Sequence, residues 1–204
     1  MMNADSLPES NLPESNLREG LFRARTVLVS GEIDPAVAAR VNGQLFALAA
    51  INDQPIRMFV SSPGGHVESG DSIHDVVGFI EPEVIMIGSG WVASAAALLY
   101  VGVPRTRRLA LPNTRFMLHQ PAGAVQGRAA DVEIEAEQIL AVRARLNRLF
   151  AAATGQPEAR IRQDTDRNHW MGVQEAKAYG LVGRIVRRAS EVEVGELGGT
   201  GHDG

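Results

Sequence analysis

Val84-Ile85-Met86-Ile87-Gly88-Ser89-Gly90-Trp91-Val92-Ala93-Ser94-Ala95-Ala96-Ala97-Leu98-Leu99-Tyr100-Val101-Gly102-Val103 carries no charge from end to end. Its length would cross the ~30 Å core of a bilayer as one helix. Its interior argues against that. Gly88-Ser89-Gly90 separates a β-branched half from an alanine-rich half, and glycine with serine is turn chemistry. The stretch therefore reads as a buried strand, a turn, and a buried helix that begins at or near Ser94.

The same alternation continues on both sides. Thr26-Val27-Leu28-Val29, Ile56-Arg57-Met58-Phe59-Val60 and Arg115-Phe116-Met117-Leu118 are short and apolar or β-branched, as strands are. Helical periodicity is expected over Pro35 to Ala50, Val67 to Ile80 and Ala129 to Ala153, where Thr154-Gly155 stops it. A short helix from Val173 to Tyr179 ends at Gly180, a suitable left-handed cap. Strands separated by helices predict an α/β fold, with a parallel-type sheet covered on both faces.

The flanks differ in character. Leu-Pro-Glu-Ser-Asn occurs twice in tandem, at 7–11 and 12–16, and such composition predicts a disordered or partner-ordered arm over residues 1–16. One domain is expected over 17–190, with a disordered, glycine-rich tail at 191–204. At 204 residues, 45% hydrophobic and 22% charged, the chain suits a single soluble domain with a sizeable core. A net charge of -4 offers no footprint for nucleic acid. Arg105, Arg107 and Arg108 cluster locally and read as a solvated loop. The chain has no cysteine, which excludes disulfides and thiolate sites. Asp5, Glu9 and Glu14 interrupt the opening residues, so no signal peptide is read there. A cytoplasmic location is expected, with no membrane partner.

In the longest helix, Val132, Ala136, Ile139, Leu140, Leu146, Leu149 and Phe150 form an apolar stripe. Asp131, Glu133, Glu135 and Glu137 precede Arg143, Arg145 and Arg148, an order that suits the helix dipole. It also suits a projecting helix packed antiparallel on a copy of itself, acidic half against basic half.

Three pieces carry chemistry. Ser94 at a helix start is either a capping residue or a nucleophile, with the Ala95 amide aimed at a developing oxyanion. Gly64 and Gly65 close Ser62-Pro63-Gly64-Gly65 and can take positive φ, which presents bare amides at the sheet edge. Of five histidines, His119 ends a strand in Phe116-Met117-Leu118-His119-Gln120-Pro121, whereas His66 and His74 belong to a helix and His202 to the tail. His169 lies between Asn168 and Trp170. No histidine pair has metal-ligand spacing, so no metal site is expected. The surroundings of Ser94 are not the Gly-x-Ser-x-Gly elbow.

Ser62-Pro63-Gly64-Gly65, Ala93-Ser94 followed by small residues, and Met117-Leu118-His119-Gln120-Pro121 together resemble the ClpP family, the proteolytic subunits of Clp proteases. Leu111-Pro112-Asn113, Asp131-Val132-Glu133-Ile134, Thr154-Gly155-Gln156 and Glu175-Ala176-Lys177-Ala178-Tyr179-Gly180-Leu181-Val182 extend the likeness across roughly residues 20 to 187. The resemblance implies a ClpP/crotonase-like fold of repeated ββα units with a projecting handle helix. It implies a serine endopeptidase with Ser94 as nucleophile, His119 as general base and the amides of Gly65 and Ala95 as oxyanion hole. It further implies two stacked heptamers, of this chain alone or with a related ClpP subunit, supplied with unfolded protein by an AAA+ unfoldase such as ClpX or ClpA. That partner consumes the ATP, and no cofactor is implied for this chain.

Three positions depart from the family pattern. The triad acid aligns with Asn168, whose carbonyl can hold the imidazole but cannot neutralise an imidazolium; Asp164 and Asp166 are nearby alternatives. Ala95-Ala96 replace the usual Met-Gly after the serine. The axial segment is shortened and replaced by the Leu-Pro-Glu-Ser-Asn repeat. A weakly active or inactive structural subunit of mixed rings is therefore the competing reading, and acyl-CoA chemistry of the crotonase kind is a third.

Overall fold

A computed structural model describes residues 14–121 and 127–192. The first helix, α1, spans Glu14–Arg23 and is followed by β1 (Thr26–Ile33), α2 (Pro35–Ala49), β2 (Ile56–Gly65) and α3 (Val67–Phe79). Next come β3 (Val84–Ala93), α4 (Ala95–Tyr100), β4 (Arg108–Ala110) and β5 (Arg115–Leu118). The chain continues through α5 (Ala129–Thr154), α6 (Glu158–Asp164), β6 (His169–Gly172), α7 (Val173–Tyr179) and β7 (Arg184–Ile185). Much of the expected arm and tail, residues 1–13 and 193–204, lies outside the described residues. Glu14, Ser15 and Asn16, read as part of the arm, are the first turn of α1.

Each expected α/β element is present. Asp34 caps α2 by accepting the Val37 amide at 2.7 Å, with Pro35 at the first helical position. Gly155 and Gly180 close α5 and α7 in the left-handed region. The main sheet runs β1-β2-β3-β4-β7, all parallel. Its core includes Val27, Val29, Met58, Val60, Met86 and the whole of α4. Among the described residues no helix is long and apolar enough to cross a membrane.

The decisive stretch differs from its sequence reading in one respect. Gly88-Ser89-Gly90 does not end the strand: β3 runs through it to Ala93. Val60 pairs Gly88 but Ser62 pairs Val92, so β3 bulges between those points, with Gly90 at φ 65°. The bulge forks the sheet. Before it, Met86–Gly88 pair β4; after it, Trp91–Ala93 pair β5, and β5 pairs β6 antiparallel. Gly88 O, at the fork, accepts from Leu111 N and Thr114 Oγ1, both at 2.9 Å.

Two expectations about charge and exposure are corrected. The arginine cluster is not a solvated loop. Arg108 is buried and donates to Ala153 O at 2.7 Å and to Leu181 O at 3.3 Å, and Arg105 donates to Lys177 O at 2.9 Å. Burial brings the Arg108 pKa down to about 10, so it stays a cation at neutral pH.

The α5 stripe is likewise two surfaces rather than one. Leu146, 8% exposed, and Phe150 belong to the domain's own core, whereas Ile134 (56%) and Leu140 (61%) are exposed on the first half with Val132. Arg145 spends its charge inside the subunit, in a two-pronged bond to Asp71 at 2.8 and 2.5 Å, and Arg143 faces Asp166 at 3.4 Å. Only the N-terminal half of α5 is thus free to act as a handle.

Leu146→Ala should therefore cost about 2–5 kcal/mol of stability and lower the melting temperature. Leu140→Ala should stay within ~0.5 kcal/mol in an unassembled subunit. Thermal unfolding followed by circular dichroism separates the two.

Candidate active site

Ser94 stands between β3 and α4 with φ 56° and ψ -123°. Few non-glycine residues occupy this region, and holding one there costs about 1–3 kcal/mol. Its side chain makes no capping bond to α4, so the capping role is not the one observed. Oγ instead lies 2.6 Å from Nε2 of His119. The Ser94 amide donates to Met117 O at 2.9 Å, and Ser94 O accepts from Ala97 N and Leu98 N, which fixes the turn from both sides.

The geometry follows from the fork. β5 delivers His119 one residue past its end. In the antiparallel ladder Leu118 faces His169, and one further step along that register places His119 opposite Asn168. The Asn168 side chain hydrogen-bonds the ring and raises its pKa. Such a bond favours the protonated ring, so imidazole donates and the amide oxygen accepts. Burial acts the other way and is the larger influence, leaving His119 below the ordinary imidazole value. At neutral pH the ring is uncharged, and Ser94 Oγ–H can donate to Nε2.

The glycine pair lies against this turn. Gly64, at φ 96°, has no room for a side chain: a Cβ would fall 2.6 Å from both Ser94 Cβ and Ala93 O, and 2.9 Å from Ala95 N. A Cβ on Gly65, at φ 146°, would fall 2.3 Å from Ile33 O. The turn expected at Ser62-Pro63-Gly64-Gly65 is the far end of β2, where Gly64 N donates to Ser62 Oγ at 3.0 Å. A side-chain-free strand edge therefore runs beside Ser94 and Ala95. As the first residue of α4, Ala95 has an amide without an acceptor inside the helix.

The two aspartates weighed as alternatives to Asn168 are engaged elsewhere. Asp164 Oδ2 accepts from the Tyr179 hydroxyl at 2.8 Å and pairs with Arg160 at 3.4 Å, while Asp166 faces Arg143. The remaining described histidines are also occupied. His66 contacts Ser69 Oγ at 2.9 Å and Glu68 at 3.1 Å, His74 contacts Asp75 at 3.2 Å, and His169 lies against Tyr179. His202 lies outside the described residues.

Beside Ser94 and His119 opens a small cleft walled by Val67, Leu98, Leu118, Pro121, Leu146 and Phe150. The sequence alone does not disclose this cleft. Its walls come from α3, α4, α5 and the end of β5 with the residues after it, and only folding brings them together. Its chemistry suits an apolar side chain next to a carbonyl held at Ser94.

Comparison with known proteins finds relatives along most of the chain. The sequence model of the Clp protease family matches residues 11–189. The ATP-dependent Clp protease proteolytic subunit 3 of Rhizobium meliloti is 54% identical over 195 residues, which is 94% of this chain and all of that relative. The protein of the same name from Rhizobium johnstonii is 56% identical over 172 residues, 84% of this chain and 89% of the relative. An Asn-to-Asp mutant of ClpP1 from Listeria monocytogenes superposes with a TM-score of 0.81 at 46% identity, covering 87% of this chain and 99% of that one.

The closeness of Gly64 to the serine turn sets a test. Gly64→Ala should displace the turn and reduce peptide hydrolysis by about 100-fold. Gly78→Ala, with nothing within 4 Å of the added Cβ, should leave hydrolysis unchanged. A fluorogenic peptide assay on both variants reads the difference.

Proposed function

The chain belongs to the Clp protease family of serine endopeptidases, and on that premise we propose that Ser94, His119 and Asn168 are its catalytic residues. The observation that carries this reading is the 2.6 Å contact between Ser94 Oγ and His119 Nε2. In the acylation step Oγ attacks the scissile carbonyl while Nε2 takes its proton. The amides of Gly65 and Ala95 receive the oxyanion. The imidazolium returns its proton to the leaving amine, and the peptide's acyl half stays esterified to Ser94. Water then attacks the ester with His119 again as base, releasing the acid and free Ser94. Asn168 keeps the ring in the tautomer that leaves Nε2 open. The apolar cleft takes the side chain preceding the scissile bond.

The assembly belongs to the same proposal. Two heptameric rings of this chain, alone or mixed with a related ClpP subunit, stack through the first half of α5 and enclose the serines. The exposed Val132, Ile134 and Leu140 support this, since exposed apolar surface is favourably covered by another copy. An AAA+ unfoldase such as ClpX or ClpA delivers unfolded polypeptide and spends the ATP, and this chain requires no cofactor. On α2 and α3, Phe46 and Phe79 meet edge to face at 6.4 Å and are both exposed, an aromatic surface suited to such a protein partner. Replacing Ile134 and Leu140 together with Asp should split the double ring by sedimentation and depress hydrolysis.

The neutral Asn168 favours a second reading, in which the subunit completes mixed rings and contributes little cleavage. Two substitutions decide between them. Ser94→Ala should abolish fluorophosphonate labelling and peptide cleavage; labelling that persists at Ser89 or Ser72 refutes the assignment. Asn168→Asp supplies a carboxylate that stabilises the imidazolium, so turnover should rise. In serine peptidases whose third member is an aspartate, the reverse exchange costs about 10⁴ in turnover. The sign for pH follows from the base. Activity needs neutral His119, so the acid limb of kcat/KM in the unsubstituted protein lies below the ordinary imidazole value. Asn168→Asp raises the His119 pKa and moves that limb to higher pH. A turnover that stays negligible after Asn168→Asp favours the structural-subunit reading.

A further inference from the structure

The chain's two tryptophans meet on one face of the forked part of the sheet. Trp91, in β3, and Trp170, in β6, stack with ring centroids 6.5 Å apart and planes 11° apart, although β5 lies between their strands. Trp91 pairs Arg115, and Trp170 pairs Met117, so all four side chains share the face away from buried Phe116. The Arg115 guanidinium sits 4.4 Å from the Trp170 ring centre. Trp91 and Trp170 are 44% and 38% exposed.

Their positions in sequence give the stack its meaning. Trp91 lies three residues before Ser94 and Trp170 two after Asn168. The ladder that holds β6 is four pairs long and that between β3 and β5 only three. We propose that the Trp91–Trp170 stack, with Arg115, is a clasp across β5 that positions Asn168 on His119. The tryptophans are positioning residues, and the inference rests on the trio assigned above. Without the clasp, β6 is tied to the serine strand only by way of β5: by the ladder on one side of Asn168 and, on the other, by Gln120, whose backbone and side-chain amides donate to Thr165 O at 2.7 Å and Asp166 O at 3.0 Å.

The test uses the assembled protein and the pH dependence of fluorophosphonate labelling at Ser94. The influences on His119 are burial, which lowers its pKa, and the Asn168 bond, which raises it. Loss of that bond should therefore move the acid limb to lower pH. Trp91→Ala and Trp170→Ala should each show this move, with labelling slowed about ten- to a hundredfold on the plateau. Trp170→Phe, which retains an aromatic face, should restore most of both. In an Asn168→Ala background, Trp91→Ala should add nothing to the limb.

An unmoved limb, or an equal move in the Asn168→Ala background, overturns the clasp. So does a crystal structure of Trp91→Ala that retains the Asn168–His119 bond, a result that needs no activity at all. Loss of particle size with the limb unchanged would instead make the tryptophans a contact between copies. If Ser94→Ala still labels, the trio itself is wrong; if only the tryptophan variants behave as the unsubstituted protein does, the clasp alone fails.

Discussion

Everything at the proposed site depends on a single backbone turn, Ser94 at φ 56° and ψ -123°. The conformation points Oγ out of the strand-to-helix junction, and it would relax if its surroundings allowed. They do not. The strand before it is held on both edges, the helix after it is buried along its whole length, and its own amide is tied to Met117 O. Other serine hydrolases relieve such a turn with glycines beside the serine. Here alanines flank it, and the missing volume is on the neighbouring strand, at Gly64. The requirement for glycine has moved across the sheet without disappearing.

The fork in the sheet is the second constraint, because it separates stability from chemistry. Before the bulge, β3 is a central strand of the main sheet, braced by the Tyr100 hydroxyl on Leu109 O at 2.7 Å and by buried Arg108. After the bulge the same strand becomes the edge on which β5 and β6 assemble. A rigid core therefore anchors one end of a short ladder whose far end carries His119 and Asn168. Sites built this way gain precision from the scaffold beneath them.

The sequence disclosed much of this, for reasons that can be named. β1, β2 and β5 each contain a short stretch rich in apolar residues, and α2 and α7 carry their own caps, so local chemistry and the fold agree there. Ser94 and His119 were legible because each interrupts a run with a reactive side chain. α1 and α6 were not. In α1, residues 15–23 are mostly exposed, and Glu158–Asp164 buries only Ile161, too little to establish a period. Gly88-Ser89-Gly90 reads locally as a turn, and only its partners in β2, β4 and β5 keep it extended. The α5 stripe failed differently. An apolar face signals burial without naming the partner, and Leu146 and Phe150 turn inward while Ile134 and Leu140 do not.

Asn168 makes positioning weigh more than it would beside a carboxylate. With an aspartate, Coulomb attraction would draw the imidazolium toward its partner over several ångströms and tolerate some error in placement. An amide dipole acts only over hydrogen-bond distance, so its contribution vanishes once the ring or the strand shifts. Asp164 and Asp166 do not make up the difference, because Tyr179, Arg160 and Arg143 hold them elsewhere. Charge stabilisation in the proposed reaction must then come chiefly from the backbone amides beside Ser94, and the tautomer of His119 must be kept by geometry alone. The ladder that must keep it is short and peripheral, and the Gln120 bonds to Thr165 O and Asp166 O again run by way of β5, so a direct tie between β6 and β3 is what the site still demands. The stacked tryptophans lie where that demand is greatest.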